Sequence, residues 1–474
     1  MTLSAQLAGF VVRTEYEDLS PHAAEMTKRC ILDAIGVSIA ASGLGEGCRA
    51  FVDLAREYDG QPRCTILGYS RKAPPEAAAF ANGALAHAMD YEDSHDGALV
   101  HPNAPTVPAA LAIAEGYAPV SGKELMTAVA VGCEVAVRLG LSLRVSLADF
   151  GWYPPPLLAA FGATAAAAKL LRLDERQVLD AFSLTLCQAT CSGEIIHSPN
   201  SLLRAVRDAF PARAGVTSAL LARRSVTGFE APFEGRAGFF ATFARGEYDP
   251  AVILTDLGKQ FEIENISFKP WPSCRGTHAA IEAALLCRRE HGIDPAQIEH
   301  VLVRGGRMLR MLGEPLETKQ RPATAIDAKF SLPFTTATAL LKGRVGLQDF
   351  LAPALADSEV LRLAAKVAVD PDFAATTAIG AVLEIRLRDG RSCRQAIDTP
   401  LGAPANPMSL EALLGKFSEC ATYAADPIDA ACAHRFAQSV LSMETLTDSD
   451  TELLPLLRPR QAAGAATASH QRIL

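Results

Sequence analysis

Between Asn82 and Glu115 the chain concentrates groups able to move protons. His87, Asp90, Glu92, Asp93, His95, Asp96 and His101 sit between Ala-rich, apolar flanks. Carboxylates and imidazoles gathered among oily segments suit general acid/base chemistry, because burial moves their pKa values toward the working range. Asp90 and Ser94 are four residues apart and would share a face if the helix before them continues that far. His101-Pro102 must lie beyond that helix, since proline disfavours the helical conformation in the residue before it. A loop would then return the histidine toward a helix-borne carboxylate. The same donors admit a second chemistry, a metal-dependent hydrolase with His87, Asp90, Asp93, His95 and His101 as ligands. A structural reading stands beside both: His87 and Asn82 satisfy buried backbone groups, Asp93, His95 and Asp96 form a solvated loop, and His197 either supports the site from behind or is a loop residue.

A second cluster runs from Phe268 to His278. Lys269 precedes two prolines, and Cys274, Arg275 and His278 open a predicted helix over 279–288. Rigid prolines, positive side chains and the free N–H groups of a helix start suit an anion site. The alternative is a capped junction between domains.

These groups need a scaffold, and 474 residues predict two domains rather than one core. Ser20 and Pro21 read as the N-cap and first residue of a helix to about Ala41. Another helix starts near Pro75. Capping-box spacing at Ser121/Glu124 and at Asp174/Gln177 starts two more, and 161–171 and 204–224 read as further helices. The first 250 residues or so are expected to be all-helical. After about Asn265 the texture changes. Val301 and Val303 alternate with exposed positions, and 381–387, Asp389-Gly390 and 392–397 read as a hairpin. Helices are expected between them at 325–341 and 358–369, and again at 410–421 and 427–441. The fold class is therefore mainly α: a large all-helical domain over 1–264, completed by 400–458, and a smaller α/β domain over 265–399. The tail 459–474 lacks periodicity and is expected to be mobile.

Composition narrows the function. The net charge of −8 argues against nucleic acid or an anionic membrane as a partner. No leader pattern or long apolar run is evident, so a cytoplasmic location is expected. Eleven cysteines, none at CxxC spacing, read as buried thiols.

Taken together, several motifs carry a resemblance. They are His87-Ala88-Met89-Asp90-Tyr91-Glu92-Asp93-Ser94, His101-Pro102, the alanine run of 161–171, Ala212-Arg213-Ala214-Gly215, the 269–278 cluster, Lys329-Phe330-Ser331-Leu332-Pro333-Phe334 and Asn406-Pro407-Met408-Ser409. In order and over nearly the whole chain, they resemble the MmgE/PrpD family. The resemblance implies a homodimer with a site at the domain interface that uses no cofactor and no metal, acting on a small polycarboxylate. Members include 2-methylcitrate dehydratases, cis-aconitate decarboxylases and iminodisuccinate epimerase. By resemblance, Asp90, His101 and Lys269 match the catalytic aspartate, histidine and lysine, and Ser94 stands where threonine is common. Three positions depart from the lyase members: Tyr153 replaces a histidine, Arg204 a lysine and Phe334 a tyrosine.

Family reactions take a proton from, or return one to, a carbon beside a carboxylate, which requires a positioned base and groups that hold enolate-like charge. Catalysis is expected from Lys269, Tyr153, His101 and Asp90, with substrate contacts from Ser94, Arg204, Arg275, His278 and Phe334. The departures favour an epimerase in which Tyr153 and Lys269 are opposed bases with pKa values lowered toward neutrality. The alternative is a hydro-lyase of the 2-methylcitrate dehydratase type, or a decarboxylase.

Overall fold

A computed structural model describes residues 2–117, 119–198, 201–373, 377 and 379–457. The tail expected to be mobile lies outside the described residues. Helix starts follow local chemistry: Ser20 accepts a hydrogen bond from Ala23 N at the head of Pro21–Leu44. Reciprocal capping boxes open Gly122–Leu141 and Glu175–Leu186.

The centre of the large domain is a layer of helices buried on nearly every side: Pro75–Ala88, Asn103–Tyr117, Gly122–Leu141 and Pro154–Leu170. Their Ala and Gly content lets backbones approach closely. A Cβ on Gly132 would meet the Gly162 carbonyl at 2.7 Å, and one on Gly162 would meet the Gly132 carbonyl at 2.6 Å. The helices Leu410–Ala421 and Pro21–Leu44 pack together.

The smaller domain holds a four-stranded sheet in the order Val367–Asp370, Ile298–Gly305, Ala381–Leu387, Ser392–Ile397, with the first pair parallel and the others antiparallel. The predicted hairpin is there, turning at Asp389-Gly390 with Gly390 at φ +88°. Helices His278–His291 and Leu332–Lys342 cover the sheet.

Four expectations are corrected. The N-terminal domain is not purely helical, since Cys64–Thr65 and Lys72–Ala73 form a two-residue antiparallel pair. The stretch 204–224 breaks into Leu203–Val206 and Ala209–Arg223, with Arg207-Asp208 at the break. The stretch 325–341 breaks into Ala325–Lys329 and Leu332–Lys342, because Ser331 caps the second helix through Phe334 N. The expected 358–369 helix stops at Ala364, and Val367–Asp370 instead pairs with residues 301–304. Its β-branched residues answer to the sheet rather than to helical periodicity.

No single helix among the described residues is long and apolar enough to cross a membrane. One pair, Pro21–Leu44 and Cys48–Glu57, passes together by length and composition but bends by 95°.

Candidate active site

The helix from Pro75 ends at Ala88, and Asp90 follows at φ +48°. Asp90 therefore stands in a left-handed turn, not on a helix face shared with Ser94 as the spacing predicts. A short polar residue tolerates that conformation better than most. Ser94 and Ser267 then exchange two backbone hydrogen bonds, of 2.9 and 2.7 Å, laying 90–94 beside 267–269. Gly402 fixes the other edge: Phe268 N donates to Gly402 O at 2.9 Å. With φ at +89°, a Cβ on Gly402 would lie 1.8 Å from Phe268 O.

This arrangement buries Lys269 completely, with Nζ donating to Asp90 Oδ1 at 2.5 Å and to Asp90 O at 3.1 Å. Glu92 Oε1 lies 3.7 Å from the same ammonium. Burial opposes both charges, yet each holds the other. The Asp90 pKa is lowered, chiefly by Lys269, and the Lys269 pKa is raised, chiefly by Asp90. A resting Lys269 is a charged acid, the reverse of the lowered pKa that a lysine base requires.

His101 Nδ1 lies 2.9 Å from Asp93 O and 3.2 Å from Glu92 Oε1. Carbonyl and carboxylate oxygens only accept, so Nδ1 carries the hydrogen and Nε2 the lone pair. Burial, reinforced by Lys269, pushes the His101 pKa down to about 3, so the ring is neutral at pH 7. His87 Nδ1 reaches the same Glu92 oxygen at 2.5 Å, and burial with Arg207 holds its pKa well below the usual histidine value. Asp93 is held by Asn103 Nδ2 at 2.8 Å, and burial pushes its pKa up to about 8.

Two arginines gather at the Tyr153 ring. The Arg204 guanidinium stacks 3.3 Å from the Phe330 ring centroid and stands 5.9 Å from that of Tyr153. Arg207 lies 5.0 Å from the Tyr153 centroid. Tyr153 is buried at the head of Pro154–Leu170, where its N–H donates to Cys191 O. Lys329 donates to Ala88 O at 3.1 Å, and burial, only partly offset by Asp90, pushes its pKa down to about 8.

Other expected site residues are committed elsewhere. Arg275 binds Asp96 at 3.2 Å, Leu401 O at 2.8 Å and Pro400 O at 3.3 Å, so its donors lock the domain junction and are not free to clamp a carboxylate. His278 is buried, with Nε2 3.1 Å from Ser273 O and Nδ1 3.3 Å from Arg275. The Ser94 hydroxyl donates to Asp96 Oδ1 at 3.2 Å. Phe334 packs in the core near Phe350. The 93–96 segment is not a solvated loop: Asp93 and His95 are buried. Asn82 does bond backbone on both sides, to Leu67 N and Thr65 O, whereas His87 bonds Glu92. His197 is exposed.

Ligand atoms of His87, Asp90 and Glu92 come within 4.8 Å of one another, a spacing that a metal ion could use. The Lys269 ammonium already stands against both carboxylates, supplying the cation that the set would otherwise seek. Of the other expected ligands, Asp93 bonds Asn103, His95 bonds Ala98 N and His101 bonds Asp93 O. The residues present fit an ammonium better than a metal.

Sequence reasoning missed Lys416, Arg207 and Asp208. Lys416 Nζ pairs with Asp33 at 2.6 Å and donates to Tyr91 O at 2.6 Å and Lys269 O at 3.0 Å, tying both site segments together from behind. Its signal is present in retrospect: Leu413, Lys416, Phe417 and Cys420 share one stripe, so the lysine occupies a core position.

The fold and site define a two-domain, mainly helical protein with a buried Asp–Lys pair and a neutral histidine at the domain junction. Family models describe it at both ends: the MmgE/PrpD N-terminal domain matches residues 5–251 and the MmgE/PrpD C-terminal domain matches residues 271–440. The chain belongs to the MmgE/PrpD family. It is 28% identical to the cis-aconitate decarboxylase-like protein oryM of Aspergillus oryzae, over 96% of this chain and 97% of that one. It is 26% identical to the cis-aconitate decarboxylase of Mus musculus, over 88% and 86%. It is 24% identical to the 2-methylcitrate dehydratase of Salmonella typhimurium, over 82% and 83%. These names are those of lyases, and they favour the lyase alternative over the epimerase expectation.

Proposed function

We propose that this chain is a cofactor-independent lyase that removes water or carbon dioxide from a small polycarboxylate. One observation carries the reading: a buried, charged Lys269 paired with Asp90 beside a neutral His101 whose Nε2 lone pair is left free by its Nδ1 contacts. His101 Nε2 is the base for a proton on the carbon next to a carboxylate, and the enolate-like charge falls on the lysine side. In a dehydration the C–H electron pair forms the double bond, the C–O bond breaks, and Lys269 protonates the departing hydroxide. In a decarboxylation the C–C bond breaks, the electron pair shifts to carbon, and the same acid supplies a proton. Asp90 keeps Lys269 charged, and Glu92 holds both imidazoles. The names of the decarboxylase and dehydratase relatives support the same reaction class.

The test is proton NMR in D2O with cis-aconitate and 2-methylcitrate supplied separately. New olefinic or methyl signals from an elimination product of either acid are expected. Exchange and stereoinversion of a Cα–H without elimination would return the epimerase reading, and no change in any acid would overturn the lyase.

A further inference from the structure

Arg207 is an unusual guanidinium. Its side chain is buried, yet Nε and Nη2 have no hydrogen-bond partner among the described residues, and Nη1 reaches only Arg204 O at 3.3 Å. Its acidic neighbour does little to satisfy it: Asp208 Oδ2 lies 3.5 Å from Nε, and both Asp208 oxygens are themselves without a hydrogen bond among the described residues. Burial pushes the Asp208 pKa up to about 7, so that carboxyl is half-neutral where Arg207 is fully charged. Arg204, one turn away, repeats the pattern, with an Nε that has no hydrogen-bond partner among the described residues and contacts to the Phe330 and Tyr153 rings and Met311 Sδ. Two buried guanidinium groups with bare donors are costly unless an anion completes them.

The position of Arg207 says which anion. On one side Asp208 Oδ2, 3.5 Å from Arg207 Nε, lies 3.8 Å from His87 Nδ1, so Arg207 borders the proposed catalytic cluster and acts electrostatically on His101 and His87. On the other it lines a cavity of about 500 Å³ with Thr190, Ser192, Ser198 and Ser201. The rest of the lining joins Gln188, Glu194 and Arg213 to apolar side chains such as Ile195 and Phe210. Tyr153 stands against both guanidinium groups.

We infer that Arg207, beside the expected contact Arg204, is the specificity-determining subsite for the substrate carboxylate remote from the reacting carbon, and that the cavity it lines is the way in. This rests on the lyase reading. A planar carboxylate can take Nη2 and Nε of a guanidinium together, which an ammonium cannot reproduce. Arg207 stands at the break between Leu203–Val206 and Ala209–Arg223.

The test is titration calorimetry with tricarballylate, a saturated tricarboxylate that cannot eliminate. Arg207→Gln should weaken binding about 10- to 100-fold, the worth of a charge-assisted pair. In Arg207→Ala, added guanidinium ion should recover part of that loss. A folded Arg207→Gln, checked by circular dichroism, that binds as tightly as wild type overturns the subsite and leaves the lyase untouched. A loss that guanidinium does not repair assigns Arg207 to packing and equally overturns it. Should Arg207→Ala fail to fold, Arg207→Lys replaces it, and affinity equal to wild type in that variant removes the bidentate requirement and the subsite with it. Wild-type protein that binds no tricarballylate and turns over no polycarboxylate sinks the lyase reading instead.

Discussion

Lys269 and Asp90 stabilise each other in a place where neither charge would survive alone. Lys269→Ala should cost activity by about 10² to 10⁴. It should also destabilise the fold by about 3–5 kcal/mol, because a carboxylate is left buried without its partner. Adding Asp90→Asn should recover much of the stability and none of the activity, by urea denaturation and turnover on the same samples. Full activity in a folded Lys269→Ala protein would remove the lysine from the chemistry. Tyr153→Phe addresses the remaining reaction choice. It should affect elimination with no asymmetry between substrate stereoisomers in Cα deuterium exchange, whereas loss confined to one stereoisomer would restore the two-base epimerase. At this scale the sequence was a partial guide. Asp90, His101 and Lys269 were legible as a type and an order of residues. Their charge states were not, since a lysine whose pKa is raised rather than lowered depends on an ion pair spanning 179 residues of chain.

Secondary elements were legible where a local rule sets them and illegible where tertiary pairing does. Ser20-Pro21, Ser121/Glu124 and Asp174/Gln177 announce their helices because the cap is made by near neighbours. The hairpin at 381–397 is announced by its alternation and turn. The turn at Asp90 is hidden because the Ala-rich run before it reads as continuing helix, and Val367–Asp370 is a strand only because residues 301–304 lie alongside. The Leu410–Ala421 helix contributes more than cover, since Lys416 holds the carbonyls of Tyr91 and Lys269. Lys416→Met should lower the free energy of unfolding by about 3–5 kcal/mol by orphaning Asp33. It should also reduce the rate constant for turnover. Asp33→Asn in the same chain should return stability ahead of activity. If Lys416→Met leaves turnover unchanged, the helix does not position the site.

For the molecule as a whole, buried carboxyls set an acidic bias on stability. Burial pushes Asp93 up to about 8 and Asp208 and Glu134 up to about 7. In the unfolded chain these groups are already ionised above the ordinary carboxylate range, so the native state binds more protons and loses stability as pH rises through the raised values. His101, pushed down to about 3, works the other way, but its contribution is complete once pH exceeds the ordinary histidine value near 6.5. Between about pH 6.5 and 8 only the carboxyl effect remains among these groups, and each should cost on the order of 1 kcal/mol. Melting temperature should therefore fall across that interval, and Asp93→Asn should flatten the slope. A melting temperature that rises from pH 6.5 to 8 would contradict the buried-carboxyl account.

The lysine that ties the site together from behind is also late in the order of synthesis. A ribosome delivers Asp33, Asp90 and Lys269 well before Lys416, and until the 410–421 helix emerges the part of Pro21–Leu44 that packs on it is open and Asp33 lacks its ion-pair partner. A ribosome stalled after the sheet would hold a protein with every proposed catalytic residue made but without the lysine that braces the Tyr91 and Lys269 carbonyls.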